Sequence, residues 1–138
     1  MDAIDNILNR VSARLLKEPY PSNEEMNKVY KAALRAPDHA WLRPSSFIQV
    51  TGDGIKELSK IFEEYAKTIP NIKDEIITKY KNAPFRAPMI IILVSTFKDH
   101  PKVPGIEQKL STAASAQNIL LSLSALGYSA IWRTGKLA

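Results

Sequence analysis

The apolar positions of the chain first fall into helical stripes. Ile4, Ile7 and Leu8 predict a short amphipathic helix over 3–9 that ends where Arg10 and Ser12 begin. Pro19 and Pro21 then interrupt the chain, and Ser22 followed by Glu25 fits a capping box, the reciprocal bonding of two side chains to first-turn N–H groups. The stripe Met26, Val29, Tyr30, Ala33 and Leu34 predicts a helix over 23–34, which Pro37 ends. Residues 47–51 have β-rich content and stop at Gly52-Asp53-Gly54, so a strand and a turn are expected before a helix over 55–66. A further helix is expected over 74–81.

The pattern changes after Pro88. Met89-Ile90-Ile91-Ile92-Leu93-Val94 is a continuous apolar run rich in β-branched residues, which predicts a strand buried on both faces at the centre of a sheet. A loop over 100–105 leads to a long helix over 107–126 and a further strand over 128–132. Residues 111–132 carry no charge and are long enough to cross a bilayer. Their content of Ser111, Thr112, Ser115, Gln117, Asn118, Ser122, Ser124, Gly127 and Ser129 predicts a helix buried in protein instead. Helices and strands intermingle, which predicts an α+β layered fold, and residues 1–138 read as a single domain without internal repeats or low-complexity segments.

Composition adds outer limits. At 138 residues, 45% hydrophobic and 24% charged, the chain fits one domain around one core. The formal charge of +5 and a pI near 9.5 favour anionic ligands. Lys56, Lys60, Lys67, Lys73, Lys79 and Lys81 are interspersed with glutamates, however, which fits solvated helix faces better than a nucleic-acid surface. The absence of cysteine removes disulfides, a thiolate nucleophile and Cys-type zinc sites. Residues 1–6 start acidic and lack the basic and apolar regions of a signal peptide, so a cytoplasmic protein is expected.

Several chemistries lose support. Gly52-x-Gly54 lacks the third glycine of a dinucleotide fingerprint, with Glu57 in its place, and reads as a turn. His39 and His100 are far apart and without clustered ligands, so no metal site is expected. Neither a Gly-x-Ser-x-Gly elbow nor a Walker loop occurs. Asp38-His39 pairs an acid with a base in sequence, but neighbours on a loop point in different directions. What remains is an anion site and a platform for a flat ring. Arg10 and Ser12 could grip phosphate oxygens, although an Arg-x-Ser triplet is common by chance and by itself favours a solvated turn. Trp132, Arg133 and Thr134 bring an aromatic, a cation and a hydroxyl together, a set suited to an aromatic anion.

Taken in order, Arg10-Val11-Ser12, Arg35-Ala36-Pro37-Asp38-His39, Asn82-Ala83-Pro84-Phe85-Arg86-Ala87-Pro88, Ala116-Gln117-Asn118, Leu126-Gly127 and Trp132-Arg133-Thr134-Gly135 resemble the FMN-dependent nitroreductase family, in its compact bacterial form. The resemblance implies an α+β fold with a central β-sheet flanked by helices. It also implies an FMN-dependent oxidoreductase that passes hydride from NADH or NADPH to nitroaromatic or quinone-like acceptors. By carry-over, Arg10, Val11, Ser12 and Arg14 would hold the FMN phosphate, Arg35 and His39 would contact the flavin, and Trp132, Arg133 and Thr134 would lie beside it. No catalytic acid, base or nucleophile is implied, because the flavin carries the chemistry. The expected partners are a second copy of the chain, with FMN at the subunit interface, and a small aromatic electron acceptor; neither nucleic acid nor membrane is expected. Val11 stands where an arginine is common in the family, and Arg43-Pro44-Ser45 where many relatives have Gln-Pro-Trp. Relatives also continue past the Trp-Arg turn, so the chain is expected to be C-terminally incomplete and to leave sheet edges and apolar helix faces uncovered. These departures support the alternative of a flavin-binding or interaction relative without turnover.

Overall fold

The computed structural model describes residues 2–136. Its elements run α1 (Ala3–Asn9), α2 (Asn23–Ala33), β1 (Ser45–Thr51), α3 (Asp53–Lys67), α4 (Asp74–Asn82), β2 (Met89–Ser95) and α5 (Gly105–Ala125), with short 3₁₀ turns at His39–Trp41 and Ala83–Arg86. The helices match the sequence expectation to within two residues at either end. Among the described residues the contacts form two compact units, one built from residues 2–13, 21–48 and 92–132, the other from 14–20, 49–91 and 133–136.

In the first unit α2 and α1 pack on α5. The interface draws Met26, Val29 and Ala33 from α2 and Ala116, Ile119 and Leu123 from α5, all buried. The small buried residues Thr112, Ser115 and Ala116 form a continuous stripe with Ile119 and Leu123, which lets neighbouring elements approach closely. The polar groups that disqualified this helix as a membrane span have partners here. Asn118 Nδ2 donates to Ala32 O at 3.0 Å and Ser111 Oγ to Pro37 O at 2.7 Å, while Asn6 Nδ2 of α1 donates to the backbone Leu121 O at 2.9 Å. Gln108, also buried, bonds both the N–H and the carbonyl of Lys98, so a loop residue is tied to α5 without an unpaired amide. Among the described residues no helix is long and apolar enough to cross a membrane.

The capping box at the start of α2 forms as expected. Ser22 N donates to Glu25 Oε2 at 2.8 Å, and Glu25 N to Ser22 Oγ at 3.3 Å. The carboxylate also accepts from Tyr128 Oη at 3.1 Å. The Ser22 backbone, then its hydroxyl, and more weakly Tyr128 and Lys28, hold Glu25 below its ordinary value of 4.5. Burial, reinforced by Glu25, raises the Tyr128 phenol, which keeps it a donor. A carboxyl depressed on folding contributes stability above its unfolded pKa and loses it as pH falls through the folded value. Glu25→Gln is therefore expected to lower Tm at pH 7, with a deficit that shrinks progressively as pH falls below 4.5, read by thermal melts across pH.

In the second unit α3 packs against α4 and the Ala83–Arg86 turn. Ser59 Oγ, buried, donates to Lys81 O at 2.6 Å, Tyr65 stacks on Tyr80, and Pro84 is fully buried, so the turn after α4 serves packing. The scattered lysines are indeed solvated helix residues paired one turn away: Lys56 with Asp53, Lys60 with Glu57, and Lys67 with Glu63. Gly52 takes a left-handed φ of 53° at the turn into α3, the role expected of it.

Two expectations about strands need correction. Among the described residues the sheet has two strands, β1 and β2, so β2 has no central position. Thr96 N donates to Pro44 O at 2.8 Å, which sets the end of β2 beside the start of β1 and makes the pair antiparallel. Every residue of β2 is half-buried, not enclosed on both faces; an apolar run reports the preference of its side chains and not how many neighbours cover them. The strand expected over 128–132 is also absent. Ser12 and Ala130 form a single parallel bridge there, too short to be a ladder.

Candidate functional site

The chain gathers functional residues at two places in the first unit. The first lies at the C-terminal end of α5. Asp2 caps α1 by accepting from Ile4 N and Asp5 N, and Arg10 closes that helix with its N–H on Asn6 O before turning into extended backbone. α5 ends in a Schellman turn: Tyr128 N donates to Leu123 O at 2.9 Å and Gly127 N to Ser124 O at 3.0 Å, with Gly127 at φ 88°. The residues after the turn run beside Ser12, and Ala13 N donates to Ala130 O at 3.2 Å. Between these segments lies a cleft of about 200 Å³ lined by Arg10, Val11, Leu120, Ser124 and Tyr128, among others.

Arg10 decides the chemistry of this cleft. Its Nη1 is buried and has no hydrogen-bond partner. A buried guanidinium donor without an acceptor is costly, and an anion in the cleft would satisfy it with a charge-assisted bond. Ser12 is exposed next to it, whereas Val11 is exposed and supplies no polar side-chain group. Arg14 is also exposed and belongs to the second unit.

The second place lies at the N-terminal end of α5. Arg35 follows the last turn of α2, with its N–H on Ala32 O, and its side chain is exposed. His39 Nδ1 lies 2.7 Å from Glu107 Oε2 in the first turn of α5. Asp38 faces another way: its carboxylate accepts from Leu42 N at 3.1 Å and Arg43 N at 3.0 Å and pairs with Arg43 Nη1 at 3.6 Å. The two sequence neighbours thus have separate partners, as their loop position implied. Glu107 as the partner of His39 was not legible in the sequence, since 68 positions separate the two.

His39 and the Arg10 cleft sit thirteen helical positions apart, at Glu107 and Leu120, or about 20 Å along α5. One chain therefore does not bring Arg10 and His39 to a common small ligand. Trp132 is half-exposed, and Arg133 and Thr134 are exposed; these last two belong to the second unit and do not end a strand. Among the described residues no group of three or more His, Asp or Glu side chains could hold a metal ion.

No local pattern in residues 38–43 marks that loop as a presenting surface. Ala40, Trp41 and Arg43 all have left-handed φ values of 58°, 54° and 52°, each costing on the order of 1 kcal/mol in a residue with a Cβ. Trp41 is 78% exposed, and the Arg43 guanidinium lies over its ring at 5.5 Å.

Residues 7–137 match the Nitroreductase family. The chain belongs to that family. It is 37% identical over 137 residues to the protein named "Putative NAD(P)H nitroreductase YdjA" of Escherichia coli K12, an alignment covering 99% of this chain and 74% of that one. Its fold is that of the nitroreductase-like family protein from Bacillus cereus, with a TM-score of 0.84 at 19% identity, covering 99% of this chain and 72% of that one. A nitroreductase with bound FMN from Bacteroides fragilis shares the fold at a TM-score of 0.67 and 17% identity, over 92% and 66% of the two chains. The α+β, nitroreductase-like fold expected from the motifs is thereby established.

Proposed function

We propose that this member of the nitroreductase family is an FMN-containing oxidoreductase that uses NADH or NADPH to reduce nitroaromatic or quinone-like acceptors, with residues 1–138 acting as one FMN-binding domain. The buried, unpaired Nη1 of Arg10 carries this reading. It is a donor waiting for an anion, at the position where the family motif implies the FMN phosphate. Arg10 would bind that phosphate, and Ser12 would add a hydroxyl. Arg14, Arg133 and Thr134 are cofactor contacts by the resemblance alone. Trp132 would offer an aromatic face, and Val11 would contribute contact without charge. FMN bound there would supply the redox chemistry, taking hydride from the nicotinamide and giving two electrons to the acceptor.

Arg35 and His39 belong to the same proposal through a second copy of the chain. Because His39 lies about 20 Å along α5 from the Arg10 cleft, a flavin touching both needs His39 from a partner subunit. The apolar residues Ile106 and Leu110, exposed on α5 beside Glu107, favour such a homodimer.

The test is an absorbance spectrum of the protein after FMN addition and removal of the excess, followed by NAD(P)H oxidation with nitroaromatics and quinones. Flavin bands near one per chain, turnover, and a dimer by ultracentrifugation are expected. Flavin bound without NAD(P)H oxidation would identify a non-catalytic relative instead. A colourless protein would overturn the cofactor assignment, and a monomer at micromolar concentration would overturn the shared site.

A further inference from the structure

Trp41 sits on the surface at a cost that nothing in its own packing offsets. Three residues with side chains hold left-handed backbone within four positions, yet the indole they present is 78% exposed and gains little burial. The strained loop is nevertheless firmly tied. Trp41 N donates to Asp38 O at 3.1 Å, Leu42 N and Arg43 N both donate to the largely buried Asp38 carboxylate, and Lys98 Nζ donates to Leu42 O. The fold thus holds a large aromatic ring out in solvent instead of allowing it to relax.

One cation lies over that ring, and a second is bonded to the loop that carries it. Arg43, itself exposed, lies over Trp41 at 5.5 Å. Lys98, bonded to Leu42, is next in sequence to Phe97, another half-exposed aromatic, whose ring lies 5.4 Å from Lys109 Nζ. The acids among them are already engaged or single: Asp38 with the loop and Arg43, Glu107 with His39, and Asp99 beside Lys98. An exposed indole with a guanidinium at its face and an ammonium bonded to the same loop selects a particular ligand class. A neutral ring would use the indole alone, and a simple anion the cations alone.

We propose that Trp41 and Arg43 are a specificity element that binds a flat aromatic ring bearing an anionic group, the ring on the exposed indole and the anion on the guanidinium. This deepens the oxidoreductase reading and rests on it, since His39, two residues earlier, is assigned to the flavin. The same chemistry has two sources: a carboxylated nitroaromatic acceptor, or the phosphorylated nucleotide of the donor.

Fluorescence separates them. The chain has two tryptophans, so Trp132→Phe leaves Trp41 as the sole reporter. This protein, as purified and after FMN loading, is titrated with 4-nitrobenzoate, with nitrobenzene and with NADP⁺, each corrected for absorbed light against free N-acetyltryptophanamide. Saturable quenching by 4-nitrobenzoate, tighter than by nitrobenzene and weakened about fivefold by Arg43→Gln, is expected for an exposed charge contact. The same Arg43-dependent quenching by NADP⁺ and not by 4-nitrobenzoate would support the proposal with the donor as source. In turnover, Arg43→Gln is expected to lower kcat/KM for the ligand so identified, chiefly through KM. No saturable quenching by either anion, or affinities indifferent to Arg43→Gln, would overturn the proposal. So would Trp41→Ala shifting the sedimentation of the protein without changing the affinity of either anion, because Trp41 would then be a subunit contact. Flavin content read by absorbance in the protein with Trp132 intact keeps the two readings apart: Arg43-dependent quenching alongside a parent protein that retains no FMN would sink the flavin assignment and leave this one standing.

Discussion

Arg10→Ala should weaken FMN retention by about 10-fold to 100-fold, the loss expected when one charge-assisted hydrogen bond in a partly buried site is removed. The prediction follows from geometry as much as from the motif. Arg10 Nη1 is buried without a partner, so the free protein already bears the cost of desolvating it, and an anion recovers that cost on binding. Two further consequences distinguish a ligand site from a structural arginine. Arg10→Ala should leave the melting temperature of the flavin-free protein unchanged or raised, because an unsatisfied buried donor is lost. Arg10→Lys should recover only part of the affinity, since an ammonium cannot reproduce a bidentate grip on phosphate. Fluorescence titration of FMN against the three proteins measures both effects. Equal affinities for wild type and Arg10→Ala would remove the phosphate site from the Arg10 cleft.

Met26→Ala should have the largest effect on stability, about 2–5 kcal/mol, with a fall in Tm of roughly 10 °C. Met26 is 1% exposed and sits on α2 where that helix meets α5. Truncation removes its transfer free energy and leaves a cavity, and the neighbours Val29 and Ala33 are too short to fill it. Met26→Leu, close in volume, should cost less than about 1.5 kcal/mol. Ile61→Ala, on an exposed position of α3, should shift stability by no more than about 0.5 kcal/mol. Denaturant unfolding of the three variants gives the comparison. A loss at Met26 no greater than that at Ile61 would mean that the α2–α5 interface contributes little to the fold.

The contrast between these residues also shows where the sequence was readable. Helices follow from short-range physics: the i, i+3, i+4 spacing of Met26, Val29 and Tyr30, the capping pair Ser22 and Glu25, and Pro37 after the end of α2 all act within a few residues. Their bounds could be read locally for that reason. Arg10 and Ser12 were visible on the same terms, because the end of a short helix delivers them. Strands were harder. The composition of residues 89–94 indicated a strand, but whether it has one neighbour or two depends on segments distant in sequence, and residues 128–132 have the content of a strand without a partner that extends beyond Ser12. The Trp41 surface was equally out of reach, since Ala-Trp-Leu-Arg carries no glycine to announce the left-handed backbone that Asp38 and Lys98 impose on it.

The sequence by itself determined the helices, their caps, the α+β class, the family and the residue types available to grip an anion, because each depends on local periodicity or on a short motif. Only the tertiary structure decided that Arg10 has a buried donor without a partner, that Asp38 and His39 serve different partners, and that His39 and the Arg10 cleft lie at opposite ends of α5. Burial, pairing and separation are properties of chain segments brought together across many positions, and no local pattern encodes them.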